Sequence, residues 1–294
     1  MGERMVFRNV SELIKLAEHK QMAISEVMIT QEMEVHDKKR EEIINVMKRN
    51  LQVMEAAVER GITQNVRSHS GLTGGDAILL QNYIQSGKGL SGDLLLDAVS
   101  KAVATNEVNA AMGMICATPT AGSAGVVPGT LFALAKKMDI TEEQKVNYLF
   151  TAGAFGFVVA NNASISGAAG GCQAEVGTST GMAAAAIVEL MGGNPEQSAH
   201  AMAIALKNML GLICDPVAGL VEVPCVKRNA MGAANAMVAA DMALAGIQSR
   251  IPCDEVIQAM YLVGQTMPIA HKETALGGLA ATPTGKGLEK MIFG

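Results

Sequence analysis

Apolar residues recur at three- and four-residue steps along most of the chain, the period of an amphipathic helix. The first such run, Asn9 to Lys20, predicts a short helix. In the next, Met28, Ile29, Met33, Ile43, Ile44, Met47, Leu51, Met54 and Val58 fall on one face, with the DKKREE run at 37–42 opposite. With Ser25 as N-cap and Gly61 as the stop, this predicts one helix from Ser25 to Arg60, spanning roughly 54 Å at about 1.5 Å per residue. Residues 1–60 are therefore expected to form a long-helix N-terminal arm.

From residue 61 the texture changes to Gly-rich segments separated by helical runs. Helices are predicted at Leu94 to Met114, Gly129 to Met138, Thr141 to Phe155, Thr180 to Met191, Asn194 to Leu212, Ala230 to Leu244 and Cys253 to Met267. Alternating β-branched or aromatic runs are nearly missing, so residues 61–294 read as an all-α, multi-helix domain whose Gly-rich loops carry the function. The tetrapeptide ATPT occurs at 117–120 and 281–284, too short a match to define a repeat architecture.

Composition sharpens this picture. The chain of 294 residues holds 20 Met and 31 Gly but no Trp, three Tyr and six Phe, so packing relies on Ala, Leu, Val, Ile and Met. That favours closely approaching helices over an aromatic-filled sandwich. A net charge of -5 gives no electrostatic reason to expect nucleic acid or an acidic membrane as partner. Two charge-free stretches, 108–135 and 146–174, are broken by Pro119, Pro128, Asn161, Asn162, Ser164, Ser166 and clustered Gly, which argues against membrane spans. MGERMVFRNV has no apolar secretion core, and Val6 stands where a myristoylation signal needs Ser or Thr, so a cytoplasmic location is expected. Five Cys in such a chain are expected to be free thiols or metal ligands.

The Gly-rich loops do not fit nucleotide motifs. SGKG at 86–89 and TGKG at 284–287 lack the upstream Gly of a phosphate-binding loop, and AGSAG at 121–125 lacks the GxGxxG spacing. The cysteines say more. Cys172 follows Gly170 and Gly171, and Cys214 and Cys225 bracket CDPVAGLVEVPC, where Pro216, Gly219 and Pro224 prevent a continuous helix. Three thiols near loops suit a soft metal or an iron-sulfur cluster, although spacing alone favours the reading as buried small hydrophobes. Cys116 and Cys253 read as packing residues.

Three segments, ATPTAGSAGVVPG at 117–129, GAAGGCQAEVGTSTGMAAAA at 167–186 and LKNMLGLICDPVAGLVEVPCVKRNA at 206–230, resemble the iron-sulfur L-serine dehydratases. More narrowly, they resemble the alpha chain of the two-chain bacterial form, and the similarity runs along nearly the whole chain. The resemblance implies a catalytic domain holding a 4Fe-4S cluster on Cys172, Cys214 and Cys225, with the fourth iron free of a protein ligand. That iron would act as a Lewis acid on the L-serine hydroxyl. Loss of the Cα proton and the hydroxyl gives aminoacrylate, which becomes an imine and hydrolyses to pyruvate and ammonia without pyridoxal phosphate. A beta chain is the implied partner. Some members end in a Cys that reaches back to the cluster; here the chain ends KMIFG, so water, buffer or a group from another chain is expected on the open iron.

Other site residues are expectations of lower specificity. RSHSG at 67–71 places Ser68 and Ser70 around His69, suited to holding a carboxylate or moving a proton near neutral pH. Thr118, Thr120 and Ser123 offer hydroxyls in the first ATPT loop, and its backbone offers N–H groups to an anion. Lys207 is a candidate catalytic residue, with Asn208, Asn161 and Asn162 as substrate contacts. His19, His36, His200 and His271 receive no role. Two alternatives remain: removal of sulfide from cysteine by a related cluster enzyme, and a structural zinc in a helical scaffold.

Overall fold

A computed structural model describes residues 6–294. Among the described residues the architecture is all-α: α1 (Val10–Lys20), α2 (Ile24–His36), α3 (Arg40–Thr63), α4 (Asp76–Gln85), α5 (Asp93–Ala110), α6 (Val126–Met138), α7 (Glu142–Asn162), α8 (Gly167–Gly170), α9 (Thr178–Leu190), α10 (Pro195–Lys207), α11 (Cys225–Leu244), α12 (Cys253–Thr266) and α13 (Pro283–Phe293). Extended pairing is limited to two isolated bridges, Arg67 with Gly74 and Cys214 with Lys272.

Helix starts follow capping chemistry. Asn9, Thr141, Asn194 and Thr282 each accept a backbone N–H of the following first turn, and Pro195 and Pro283 occupy positions where a missing N–H costs nothing. The predicted single helix from Ser25 to Arg60 is instead two. Asp37 ends α2 in the left-handed region at φ 49, and the Glu42 carboxylate accepts the Lys39 N–H at 2.9 Å where α3 starts. The charged run is therefore a junction, not a polar face. Other bounds move as well: α5 stops at Ala110 because Met112 turns left-handed and Gly113 folds back on the Val108 carbonyl; α7 continues to Asn162; α10 stops at Lys207; and α11 begins at Cys225. Helices α4 and α13 were not anticipated.

At the centre lies α9, buried from Thr178 to Val188 and enclosed by α6, α7, α10 and α11. A helix covered on all sides needs small residues, and the AAAA run at 183–186 provides them. The predicted apolar stripe of the arm is covered by the chain itself: Met28, Ile29, Ile43, Leu51, Met54 and Val58 belong to the same buried cluster as α6, α7 and α9. At Gly61, α3 approaches α5 so closely that a Cβ would stand 2.6 Å from the Ala104 carbonyl oxygen. Among the described residues no helix is long and apolar enough to cross a membrane.

Candidate active site

Three chain segments converge beside the N-terminal ends of α9 and α11. Cys172 follows Gly171, whose φ of 78 turns the backbone sharply, and it opens a π-helical turn over Gln173–Gly177 that feeds α9. Such wide turns recur at functional sites because they redirect side chains out of helical register. Buried Gln173 fixes the turn: its amide donates to the carbonyls of Gly170 and Met260 at 3.0 Å each, and its Oε1 accepts the Gly211 N–H at 2.9 Å. Cys214 is clamped through its backbone, donating to the His271 carbonyl at 2.9 Å and accepting from the Glu273 N–H at 2.8 Å. The segment then doubles back, with the Val217 N–H donating to the Val223 carbonyl at 2.8 Å, and returns Cys225 as the first residue of α11.

The sulfurs of Cys172 and Cys214 and a carboxylate oxygen of Glu175 lie within 4.8 Å of one another. All three cysteines are buried and free. The Cys214 thiol donates to Cys172 and, with the Arg228 guanidinium, holds the Cys172 thiol below its ordinary pKa against the effect of burial. The same sulfur pair, reinforced by burial, pushes the Cys214 thiol strongly up. Burial, with a smaller contribution from the charge on Cys172, raises Cys225. Cys225 thus stands in the field of Cys172 while lying outside the tight trio. Arg228 Nη1 is 3.4 Å from the Cys172 sulfur, 2.9 Å from the Ile213 carbonyl oxygen and 2.8 Å from Asp215 Oδ1.

Glu175 was absent from the sequence-based candidates. Its only signal was position, three residues after Cys172 on the same turn. Burial raises the Glu175 carboxyl, opposed by the Thr120 hydroxyl, which donates to Oε1 at 2.6 Å. That bond brings the 117–125 loop into the site. Asn229, one turn beyond Cys225, pins the loop: its amide donates to the Gly122 carbonyl at 2.7 Å and its oxygen accepts the Gly125 N–H at 3.1 Å. Ser123 is fully buried and donates to the Thr118 carbonyl at 3.1 Å, whereas the buried Thr118 hydroxyl has no hydrogen-bond partner.

The RSHSG segment reaches the site through Glu222, a second residue that spacing did not flag. The Ser70 hydroxyl donates to its carboxylate at 2.8 Å, and Ser68 and Ser70 lie 3.2 Å apart, so the segment is tied to the Cys214–Cys225 loop. His69 is exposed between them. Four other candidates have hydrogen bonds that run elsewhere. Lys207 donates to Ser249 at 2.9 Å and Asn208 to Asn235 at 2.8 Å. Asn161 donates to the Phe157 carbonyl, and Asn162 to those of Arg8 and Val158.

Comparison with known proteins adds an independent line. The family described as "Serine dehydratase alpha chain" matches residues 19–280. The chain is 75% identical over 289 residues to a Bacillus subtilis (strain 168) protein named "Probable L-serine dehydratase, alpha chain", covering 98% of this chain and 96% of that one. It is 41% identical over 279 residues to the "L-serine dehydratase, alpha chain" of Peptoniphilus asaccharolyticus, covering 95% and 96%. The "L-serine dehydratase" of Streptomyces coelicolor is 39% identical over 282 residues, which are 93% of this chain but 60% of that longer protein.

Proposed function

The chain belongs to the serine dehydratase alpha chain family, and from that premise we propose that it converts L-serine to pyruvate and ammonia with a 4Fe-4S cluster held by Cys172, Cys214 and Cys225. The observation that carries the reading is the meeting of the buried Cys172 and Cys214 with the half-buried Glu175 carboxylate within 4.8 Å. The donor set fits such a group: soft thiolates, a guanidinium to offset their negative charge, and Cys225 close by on α11. When bound, the cluster supplies an iron without a cysteine ligand that draws electron density from the substrate hydroxyl and eases its departure as water.

The chain's own groups do the rest. The 117–125 loop, fixed by Asn106 and Asn229, presents backbone N–H groups and the unpartnered Thr118 hydroxyl to the serine carboxylate. The Ser70–Glu222 bond ties the 67–71 segment to the Cys214–Cys225 loop, and in this reading a ring nitrogen of the exposed His69 takes the Cα proton. Burial excludes water from the sulfurs, and the Cys214 thiol together with the Arg228 guanidinium favours the charged form of Cys172. Lys207, Asn208, Asn161 and Asn162 retain at most an outlying role in this reading.

The partner is proposed to be a separate beta chain. "Alpha chain" in the names of the relatives supports it, as does the length of the Streptomyces coelicolor protein, which this chain spans only in part. A cytoplasmic location accords with a cluster that needs reducing surroundings.

The test is to purify the chain without oxygen, alone and with its co-expressed partner. Absorption, iron and sulfide are measured, together with keto-acid release from L-serine, L-threonine and L-cysteine. A brown protein with equal iron and sulfide that prefers serine is expected. A colourless zinc protein overturns the cofactor assignment, and preference for cysteine replaces dehydration with sulfide removal. Equal serine turnover by the isolated chain, at equal cluster content, removes the need for a partner.

A further inference from the structure

Glu175 sits where a ligand would be needed, and its two oxygens are not equivalent. Oε1 accepts the Thr120 hydroxyl at 2.6 Å, while among the described residues no donor reaches Oε2. The direction in which Oε2 points can be read from Gly167. A Cβ on that glycine would stand 2.5 Å from Glu175 Oε2 and 2.9 Å from the Cys214 sulfur, so both atoms converge on the space over its bare Cα. Gly122 also packs on the carboxylate, its own hypothetical Cβ standing 3.3 Å from Oε1 and 3.6 Å from Oε2. Two glycines therefore leave room against one carboxylate, and with Oε1 held by the hydroxyl the remaining oxygen lies beside the sulfurs. A residue serving only as a helix-surface acid would not need this enclosure.

We infer that Glu175 Oε2 is a ligand to the iron that lacks a cysteine, occupying it until substrate arrives. The inference rests on the cluster reading and replaces the expectation that water, buffer or another chain fills that position. A carboxylate suits the role chemically. It is a harder and more weakly held ligand than a thiolate, so it can retain the iron yet give way to the hydroxyl and carboxylate of serine. Anchorage of Oε1 by Thr120 keeps the side chain at hand after release, ready to return when product leaves. Thr120 is thereby a positioning residue for Glu175, linking the ATPT loop to retention of iron.

The experiment uses the full chain purified without oxygen, as wild type and as Glu175→Gln, which keeps the side-chain volume and removes the charge. Iron release to a colourimetric ferrous chelator is followed over time, and the three-iron product is read by electron paramagnetic resonance. The variant is expected to release one iron per cluster roughly tenfold faster or more, the lower range for disturbed metal shells. Wild-type protein carrying 13C-carboxylate glutamate supplies a second readout. The reduced cluster should show hyperfine coupling to that carbon, abolished by Glu175→Gln and by added L-serine. Circular dichroism checks that the variant is folded; if it is not, the labelled wild type decides. Equal iron release in the folded variant, or no 13C coupling, overturns the inference while leaving the cluster reading intact. A wild type that assembles no cluster overturns the cluster reading itself.

Discussion

Arg228 Nη1 stands 3.4 Å from the Cys172 sulfur and, through the same nitrogen, 2.8 Å from Asp215 Oδ1. One guanidinium thus joins the first cysteine segment to the residue that follows the second cysteine. A half-buried cation between a sulfur and a carboxylate both favours the thiolate and fixes the spacing of two loops. Replacement by Met keeps the bulk and removes both effects. Arg228→Met is expected to weaken iron retention about tenfold or more, the range for loss of an outer-shell partner, and to raise the Cys172 thiol toward its ordinary value. Competition with a chelator measures the first, and the pH dependence of alkylation in the iron-free protein the second. Unchanged values for both would mean that Arg228 only packs.

The five cysteines separate into two groups by environment. Cys172→Ala, Cys214→Ala and Cys225→Ala are each expected to abolish cluster retention and serine turnover. Cys116 lies half-buried against the Asn50 carbonyl, and Cys253 is buried in the core at the start of α12. Alanine at either position should leave iron content unchanged, with a modest stability loss at Cys253. Iron analysis on all five variants tests the division. A full cluster in any of the first three would refute the ligand set.

Activity is expected to decay in air, since an iron without a thiolate is open to oxidants. Ferrous iron with a reductant should restore part of it. Activity stable over days in air would argue against an iron held by so weak a ligand.

Helix contacts give a prediction of opposite signs at two glycines. Gly61→Val drives a branched side chain into Ala104 of α5 and should cost about 1–3 kcal/mol. Gly287, exposed in α13 with no atom within 4 Å of a Cβ, should gain about 0.5–1 kcal/mol as Ala through helix propensity. Urea midpoints on both variants check the pair.

Glu107 adds a pH dependence. Its carboxylate accepts the N–H groups of Asp76 and Ala77 at the start of α4, yet burial dominates and raises its pKa above 4.5. The folded state therefore binds this proton more tightly than the unfolded state does. The contribution favours folding most below pH 4.5 and is lost as pH rises through the raised folded value. The melting advantage of wild type over Glu107→Gln should accordingly shrink from acid toward neutral pH. An advantage that grows over that interval would reverse the sign.

Much of the molecule was legible because its signals are local. Helical periodicity, few strand-forming runs and caps such as Thr141 and Asn194 define the class and most elements without long-range information. The arm was misread for a related reason. Polar periodicity across 37–42 matches a helix face, and only the left-handed backbone of Asp37 reveals a junction. Helix α13 had its signal in Thr282 and Pro283, a cap followed by a first-turn proline, but TGKG drew attention to loops. The cysteines stood out by their glycine and proline neighbours. Glu175, Glu222, Arg228 and Asn229 did not, because their roles come from partners 55, 152, 56 and 107 residues away, a pairing that no window along the chain contains.

The backbone clamp on Cys214 ties the site to the last stretch of the chain. His271 and Glu273 grip that residue from both sides, the Leu279 N–H donates to Asp215 Oδ2 at 2.7 Å, and α13 leans on the turn at Val217–Gly219. The stretch 271–293 therefore behaves as a strap over the Cys214–Cys225 loop, and opening one end should open the other as a single unit of local unfolding. An affinity tag fused after Gly294 is consequently no neutral handle. A tag that pulls α13 from its seat would reach Cys214 within a few residues, and preparations tagged there would lose iron for reasons unrelated to chemistry at the sulfurs.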